Sequence, residues 1–372
     1  MGKCKVCGDS GRSVTVGLGV CLRCIRECPE DALHVTEIAH IRARESYGLP
    51  GFPPKSEGGV PCGVCWNDCR IGPGEVGFCG LVSNVEGRLV RHGGTASSGV
   101  LEWYYDPLPT NCVAWWFCPG CTGAGYPNYS WSNSRPEHDH SNLAVFYGAC
   151  SYDCLFCQNY HFRLLSGKKE PIVSAESLAS RASGNVSCIC YFGGDPSPQM
   201  PHVIRTSELA IEKAKAEGRI MRIYWETNGY MKPQFLERAV ELSLESGGNI
   251  KFDLKCWDEN LAKSMCGVSN KPSLENFKTV GDKFYKRRSK LPVLTASTLL
   301  VPGYVDVDEV RNLSSFISGI DVSIPYTLLA FAPNYEMYDL PTTSRRHAYE
   351  CLEAAMEEGL QNVRLGNLQL LC

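Results

Sequence analysis

The sequence predicts an α/β protein in which an open, partial (β/α)6 barrel follows a cysteine-rich, metal-stapled N-terminal region. From residue 143 onward, apolar segments alternate with amphipathic segments at helical spacing, which favours parallel strands joined by right-handed crossovers. The 21 cysteines are unevenly spread, because 12 of them precede residue 122. We therefore expect a cysteine-rich module at 1–40, a second cysteine-rich and aromatic-rich region at 41–142 packing on the barrel, and the barrel at 143–372.

The composition excludes several classes of protein. A formal net charge of −3 provides no basic surface for nucleic acid. No apolar run approaches the roughly 18 residues that a membrane-spanning helix needs, and Met1–Cys4 does not resemble the start of a signal peptide. We therefore expect a cytoplasmic protein of an anaerobe, without nucleic-acid or membrane partners. Its cysteines should bind metals rather than form disulfides.

The first cysteines have the spacing of a small metal module. The pattern C-x2-C-x13-C-x2-C is typical of a zinc ribbon and comprises Cys4, Cys7, Cys21 and Cys24. A ferredoxin-like alternative is suggested by Cys28 followed by Pro29, but the ferredoxin run needs a cysteine where the chain has Leu18. The spacing favours zinc, with Cys28 as a spare or alternative ligand.

A second set of four cysteines precedes the barrel, with spacing C-x2-C-x3-C-x9-C. Four thiolates that close one site suit structural zinc or a mononuclear iron, and a second iron–sulfur cluster stays open as an alternative. The set comprises Cys62, Cys65, Cys69 and Cys79.

The segment at 103–131 combines aromatic residues with three cysteines that have no standard metal spacing, Cys112, Cys118 and Cys121. Its aromatic side chains suit either a flat cofactor or a peptide groove. Ordinary packing of this region onto the barrel explains the same composition, so the role of the three cysteines is left open.

Six strands and six helices are expected in the barrel. The predicted strands are 143–149, 187–192, 219–226, 249–254, 293–301 and 326–332. The predicted helices are 174–182, 202–217, 232–246, 273–287, 306–318 and 343–358. A complete eight-unit barrel would need about 250 residues, slightly more than this part of the chain provides. The active site belongs at the carboxyl ends of the strands.

The loop after the first barrel strand has the pattern C-x3-C-x2-C, formed by Cys150, Cys154 and Cys157. Three thiolates on one short loop can hold three irons of a 4Fe–4S cluster. One iron then has no cysteine from this loop and is open to a ligand. A zinc site or a group of buried thiols is the alternative, although zinc sites favour pairs of C-x2-C.

Polar and glycine-rich motifs follow the next three strands. They are Gly193, Gly194, Asp195 and Pro196 after the second strand, Glu226, Thr227 and Asn228 after the third, and Asp253 and Lys255 after the fourth. Each motif alone is also compatible with a turn or a loop cap. Their repetition at four successive strand ends, counting the cysteine loop, argues against coincidence.

Together these motifs resemble the radical S-adenosylmethionine (SAM) superfamily, in its AmmeMemoRadiSam and pyruvate formate-lyase activating enzyme-like branch. Segments 297–304, 328–333 and 363–367, and the Cys62–Cys79 segment, are similar to the same branch. The resemblance implies that Phe156 packs near the SAM adenine. It also implies that Gly193–Pro196 bind the SAM amino group and that the polar residues at 226–228, with Asp253 and Lys255, complete the SAM site.

The resemblance implies reductive cleavage of SAM to a 5′-deoxyadenosyl radical that modifies a protein residue. One hypothesis is cobalamin-dependent C-methylation, since the chain is similar to the archaeal glutamine C-methyltransferases of methyl-coenzyme M reductase. The partners would be the α subunit of that reductase and a flavodoxin or ferredoxin as electron donor. The chain has no Asp-x-His-x-x-Gly motif for cobalamin. The alternatives are an activating enzyme that generates a glycyl radical on a partner, and a non-enzymatic iron–sulfur or zinc protein. His161 is the one catalytic candidate.

Overall fold

The computed structural model describes residues 2–110, 112–288 and 290–372. Its strands are β1 (Gly2–Lys3), β2 (Ser10–Gly11), β3 (Val60–Pro61), β4 (Arg70–Ile71), β5 (Val82–Val85), β6 (Arg88–Arg91), β7 (Ser98–Pro107), β8 (Ser141–Tyr147), β9 (Ile172–Ser174), β10 (Val186–Gly193), β11 (Arg222–Thr227), β12 (Ile250–Asp253), β13 (Leu294–Leu300), β14 (Tyr326–Ala330) and β15 (Val363–Gly366). Its helices are α1 (Leu22–Glu27), α2 (Pro29–Glu45), α3 (Pro119–Thr122), α4 (Phe162–Lys168), α5 (Ala175–Arg181), α6 (Met200–Ala216), α7 (Pro233–Ser246), α8 (Glu259–Cys266), α9 (Lys271–Phe284), α10 (Val307–Ser318) and α11 (Arg345–Glu357). Short 3-10 turns lie at Ser197–Gln199, Tyr285–Arg287, Tyr335–Met337 and Leu368–Leu370.

A nine-stranded sheet organises the larger part of the chain, in the order β15-β14-β13-β12-β11-β10-β8-β7-β9. The seven strands from β8 and β10 to β15 are parallel, whereas β7 pairs antiparallel with β8 and β9 pairs antiparallel with β7. The sheet has β15 and β9 at its two edges, so the described residues form an open rather than a closed barrel. The predicted α/β partial barrel is confirmed.

The predicted barrel elements lie within three residues of the observed ones, but the sequence missed others. The seventh parallel strand, β15, is short and only half-buried, so it has no apolar run to reveal it. The ten-residue strand β7 carries two adjacent exposed aromatic residues, Tyr104 and Tyr105, so its buried and exposed side chains do not alternate regularly.

Helix α2 was not predicted from the sequence. It spans 17 residues, Pro29–Glu45, and therefore continues through the expected region boundary at residue 40. Its buried side chains are small or polar, which hides the apolar periodicity that sequence analysis depends on. They are Ala32, Thr36, Ala39, His40, Ala43 and Arg44.

The two faces of the central strands have different partners. Ile189, Tyr191 and Trp225 belong to the main core beneath the helices, whereas Cys188 and Tyr224 alternate with them and pack against segment 108–122. Side chains alternate between the faces of a strand. The face opposite the main core is therefore the one on which the sheet presents thiols and charged groups.

Within the described ranges, no helix is both long and apolar enough to cross a membrane.

Candidate active site and metal centres

A cavity of about 250 Å³ lies at the carboxyl ends of β10 to β13, beside the loop that follows β8. This loop contains Cys150, Cys154 and Cys157, and all three line the cavity. Most of the predicted SAM-binding residues line it too, namely Phe156, Gly193, Gly194, Asp195, Glu226, Asn228, Asp253 and Lys255. Pro196 and Thr227 are not in the lining. Pro196 precedes the 3-10 turn at Ser197, and the Thr227 hydroxyl donates a hydrogen bond to the Asp195 carboxylate.

The cysteine loop is compatible with a cluster held by three thiolates. Burial is the main cause that raises the pKa of the Cys150 thiol well above its ordinary value, so a bound metal must displace a proton. Asn228 Nδ2 lies 3.6 Å from Cys150 Sγ, and the backbone N–H of Tyr152 lies 3.3 Å from the same sulfur. Such donors stabilise a thiolate and tune the potential of a cluster. The donor set therefore fits the expected 4Fe–4S cluster.

The loop is anchored from behind by a buried charge cluster around Asp153. His40 Nδ1 lies 2.8 Å from Asp153 Oδ2. Arg163 Nε donates to Asp153 Oδ1 at 3.1 Å, and Arg44 Nη1 lies 3.6 Å from the same oxygen. Burial opposes the carboxylate charge, but Arg163, His40 and Arg44 hold the pKa of Asp153 below its usual range. Sequence analysis missed this cluster. The one available signal was the i, i+4 pair of His40 and Arg44, which share a face of α2.

Alternating charges line the cavity at the ends of β11 and β12. Lys251 Nζ donates to Glu226 at 3.2 Å and to Asp253 at 2.8 Å, and Lys255 Nζ donates to Asp253 at 3.1 Å. Burial opposes these charges, yet the two lysines keep the pKa of Asp253 low. Lys251 was not predicted. Two cations and two carboxylates side by side suit a zwitterionic ligand such as the amino acid part of SAM.

Asp195 connects two strand ends. Its carboxylate is 2 % exposed and accepts hydrogen bonds from the backbone N–H groups of Ser197 at 2.7 Å and Asn228 at 2.6 Å. The two glycines before it permit close packing of backbones. A Cβ on Gly193, whose φ is +110°, would lie 2.6 Å from Tyr147 N. The expected contact of this motif with the SAM amino group stays a prediction.

Two open grooves adjoin the cavity. The β7 groove, of about 690 Å³, includes Trp103, Tyr104 and His161 and shares Asn159 and Phe192 with the cavity. The β15 groove, of about 390 Å³, includes Trp115, Trp116 and Arg364 and shares Val113, Leu329 and Asn367 with the cavity. The aromatic segment thus contributes to both grooves.

His161, the catalytic candidate, lies in the β7 groove rather than in the cavity. Its ring stacks on Phe146 with the ring centroids 4.1 Å apart and the planes at 12°. The stacking holds the imidazole in the wall of this groove, and a catalytic role of His161 stays a prediction.

The N-terminal thiol set, defined as Cys4, Cys7, Cys21 and Cys24, is compact. Cys4 Sγ and Cys24 Sγ lie 3.7 Å apart, Cys7 Sγ and Cys21 Sγ 3.8 Å apart, and all four sulfurs lie within 4.8 Å of one another. A tetrahedral ion with metal–sulfur bonds of about 2.3 Å holds its sulfurs about 3.8 Å apart. The set therefore fits one tetrahedral ion, as expected for zinc. Cys28 is exposed and is not a member of it.

The second predicted set, formed by Cys62, Cys65, Cys69 and Cys79, lines one small cavity of about 10 Å³. Arg91 Nη1 lies 3.6 Å from Cys62 Sγ, and the backbone N–H of Phe78 lies 3.5 Å from Cys69 Sγ. Among the described residues, only the N-terminal thiol set has three or more ligand atoms within 4.8 Å of one another. A metal at the second set stays a prediction.

Parts of this chain are similar to known proteins. Residues 144–317 match the family model of the radical SAM superfamily. An uncharacterized protein of Methanocaldococcus jannaschii is 24% identical over 319 residues, which cover 83% of this chain and 81% of that protein. A putative glycyl-radical enzyme activating enzyme of the same organism is 28% identical over 184 residues, covering 49% of this chain and 64% of that protein.

Solved structures that are similar include a domain of pyruvate-formate lyase-activating enzyme from Bacteroides vulgatus. It is 17% identical with a TM-score of 0.36, covering 48% of this chain and 98% of that one. Streptococcus suis SuiB bound to S-adenosylmethionine is 15% identical with a TM-score of 0.43, covering 63% of this chain and 53% of SuiB. The family match spans β8 to α10, which contain the three-cysteine loop and the strand ends that line the cavity. Residues 144–317 therefore form a radical SAM domain.

Proposed function

We propose that this radical SAM enzyme modifies a residue of a protein, and that the reaction is cobalamin-dependent C-methylation at an sp3 carbon. The observation that carries the proposal is the presence of two grooves on separate sides of the cavity. A bound cluster with SAM supplies the radical that activates an unreactive carbon. The remaining steps of binding, orientation and exclusion of water belong to the chain.

The cavity residues have distinct roles in this proposal. Lys251 and Lys255 attract the SAM carboxylate, while Glu226 and Asp253 add negative charge near the ammonium group that Gly193–Pro196 bind. Phe156 is 3 % exposed and lies beside the cluster loop, where its ring would cover the adenine. Because the charges are already paired within the chain, little rearrangement is needed when SAM binds.

A methyl transfer of this kind needs two spaces beside SAM, one for the methyl-donating cofactor and one for the substrate. The β15 groove is open and carries the indole rings of Trp115 and Trp116, with Arg364 4.7 Å from the centre of the Trp116 ring. Broad apolar rings suit the face of a corrin, and the described groove residues include no histidine ligand for cobalt. We therefore assign cobalamin to the β15 groove without a histidine from the protein.

The substrate protein would then occupy the β7 groove. Strand β9 at the edge of the sheet and the exposed aromatic side chains of β7 offer backbone and apolar contacts to an extended peptide. A glutamine of the α subunit of methyl-coenzyme M reductase is the candidate substrate, and a flavodoxin or ferredoxin is the proposed electron donor.

The second candidate function is activation of a glycyl-radical enzyme. It is favoured by the relative named as a putative glycyl-radical enzyme activating enzyme, which matches 49% of this chain. An activating enzyme needs one substrate groove and no second cofactor, so it leaves the β15 groove unexplained. The third hypothesis, a non-enzymatic protein, leaves the charged cavity without a ligand.

The two enzymatic functions differ in their products. The test is anaerobic reconstitution with iron, sulfide, SAM, cobalamin and dithionite, with peptides of the candidate reductase as substrate. Methylation predicts both deoxyadenosine and S-adenosylhomocysteine, together with a cobalamin absorption spectrum in the purified protein. Deoxyadenosine without S-adenosylhomocysteine, and without bound cobalamin, would contradict methylation and favour the activating enzyme.

Matched variants test which residues are needed for SAM cleavage and for cobalamin binding. Cys150→Ala should abolish SAM cleavage. Cys351→Ala, which removes a buried thiol on α11, should retain it.

Trp116→Ala should weaken cobalamin binding at least about tenfold, since one large aromatic contact is worth more than 1 kcal/mol. Trp103→Ala in the β7 groove should leave cobalamin binding unchanged. Equal cobalamin binding by the two tryptophan variants would remove the assignment of cobalamin to the β15 groove.

A further inference from the structure

Cys266, the last residue of α8, lies directly against one sulfur of the cluster loop. Its Sγ is 3.5 Å from Cys154 Sγ, and both residues are buried. The two cysteines are 112 residues apart in the chain, so no sequence spacing joins Cys266 to the three-cysteine loop. Their contact is a product of the tertiary structure.

The backbone fixes the end of α8 against the cluster loop. The N–H group of Asp153 donates to the carbonyl oxygen of Cys266 at 2.8 Å, and the N–H group of Leu155 donates to that of Met265 at 3.0 Å. These two hydrogen bonds flank Cys154 on both sides. The position of the Cys266 thiol relative to Cys154 is therefore set by the backbone and not by the choice of one rotamer alone.

The chemistry of a metal ligand decides which of the two sulfurs carries the proton. A cysteine that binds iron is deprotonated, so Cys154 has no proton to donate once a cluster is bound. Cys266 is fully buried in the main core, and a thiol in apolar surroundings keeps its proton. The S–H group of Cys266 is therefore the donor and the Cys154 thiolate the acceptor.

The sulfurs of the cluster loop differ in the donors that surround them. Cys150 Sγ has the side-chain amide of Asn228 at 3.6 Å and the backbone N–H of Tyr152 at 3.3 Å. In the part of the chain that the structure describes, no N–H group donates to Cys154 Sγ, and the Cys266 thiol is its one hydrogen-bond partner. Removal of Cys266 would therefore leave this sulfur without a donor.

The position of Cys266 does not suit a fourth ligand of the cluster. Cys150, Cys154 and Cys157 all line the cavity, whereas Cys266 is not in its lining. A fourth thiolate would also leave no iron open to SAM. The contact of Cys266 is thus with a ligand sulfur.

We propose that Cys266 acts through Cys154 as a positioning residue, by donating a hydrogen bond to the ligand sulfur that raises the reduction potential of the cluster. Hydrogen bonds to the sulfurs are one of the factors that set such potentials. Reduction by dithionite or by the electron donor adds one electron to the cluster, and a hydrogen-bond donor stabilises the more negative state more strongly. The proposal rests on the presence of the 4Fe–4S cluster and not on cobalamin or methyl transfer.

The test is an anaerobic redox titration of the reconstituted full chain without SAM, followed by electron paramagnetic resonance of the reduced cluster. The comparison is made at the potential where half of the cluster in the unsubstituted protein is reduced. Cys266→Ala should lower the ratio of reduced to oxidised cluster there at least about threefold, because a hydrogen bond to a charged group is lost. A threefold change corresponds to about 28 mV, since a tenfold change corresponds to about 59 mV for one electron.

Two further variants separate the hydrogen bond from packing. Cys266→Ser keeps an O–H donor and should stay within about twofold of the unsubstituted protein. Cys256→Ala is the matched control, because Cys256 is also buried but its Sγ donates to the carbonyl oxygen of Asp258 at 3.6 Å. This variant should leave the ratio unchanged. Iron and sulfide contents should be the same in all three variants.

Several outcomes would overturn the proposal. One is an unchanged ratio in Cys266→Ala, and another is an equal shift in Cys256→Ala or in Cys266→Ser. Loss of iron and sulfide in both Cys266 variants would show that Cys266 is a cluster ligand instead. An unsubstituted protein that assembles no cluster would overturn the proposal together with the cluster itself. The expected shift in a protein that does not methylate would support the proposal and contradict only the proposed function.

Discussion

The N-terminal thiol set and a group of five cysteines on one face of the sheet show how differently cysteines can be assembled. The first comes from two C-x2-C pairs whose four sulfurs lie within 4.8 Å of one another. The second group surrounds a cavity of about 20 Å³ between β10 and the segment before β8, and comprises Cys112, Cys118, Cys121, Cys188 and Cys190. Among the described residues, only the first set brings three or more sulfurs close enough to bind one ion. The comparison indicates that the distance between sulfurs, rather than the number of cysteines, decides whether a region can hold a metal ion.

The largest expected effect tests the compact side of this comparison. Cys24→Ser should remove the metal of the N-terminal thiol set and unfold the N-terminal module, because metal binding contributes on the order of 10 kcal/mol to folding at such sites. Zinc content and limited proteolysis measure the loss, and iron content should stay unchanged. Cys28→Ser is the control, since Cys28 is exposed and outside the set. Equal metal loss in the control would favour a ferredoxin-like arrangement instead.

A smaller effect tests how the N-terminal region supports the cluster loop. Asp153→Asn removes the carboxylate that joins Arg163 to His40 and Arg44 of α2. We expect a loss of about 3–5 kcal/mol in the free energy of unfolding, since a buried cation is left uncompensated. Urea denaturation of the two proteins measures it.

The control for this substitution is Asp282→Asn, because Asp282 pairs with Lys278 on the surface and both side chains are at least half exposed. A surface pair contributes at most about 1 kcal/mol. A similar stability of Asp153→Asn and Asp282→Asn would show that α2 does not brace the loop.

The smallest effect concerns the buried ion pair of Glu137 and Arg222 and depends on pH. Glu137 forms a bidentate pair with Arg222, with N–O distances of 2.9 and 2.8 Å. Burial opposes the charge of Glu137, but Arg222 prevails and lowers its pKa from 4.5 to about 2. Since the folded-state pKa is depressed, the pair stabilises the fold above about pH 4.5, and this contribution is lost as the pH falls towards 2.

Glu137→Gln should therefore reduce the free energy of unfolding by about 3 kcal/mol at pH 7. The difference between variant and unsubstituted protein should shrink as the pH is lowered from 5 to about 3. Denaturation curves at several pH values provide the measurement. A difference that is constant with pH would show that the Glu137 charge does not contribute.

Sequence periodicity was sufficient for most of the barrel. The strand 250–253 and the helix 233–246 were expected nearly at their observed ends, because buried parallel strands and amphipathic helices have regular apolar patterns. Sequence periodicity failed to predict α2, whose buried face is made of alanine, threonine, histidine and arginine. His40 and Arg44 are buried there because Asp153 pairs with both and the carbonyl oxygen of Ser264 on α8 bonds to His40, and these partners are distant in sequence.

By itself, the sequence determined the alternating α/β architecture, the three-cysteine loop and the compact N-terminal thiol set, since each depends on residues close together in the chain. Only the tertiary structure decided that Lys251 belongs to the cavity, that α2 braces the cluster loop and that Cys112, Cys118 and Cys121 meet Cys188 and Cys190. The physical reason is that a sheet joins residues through the register of neighbouring strands and the segments that cross its face. That proximity has no counterpart in local spacing.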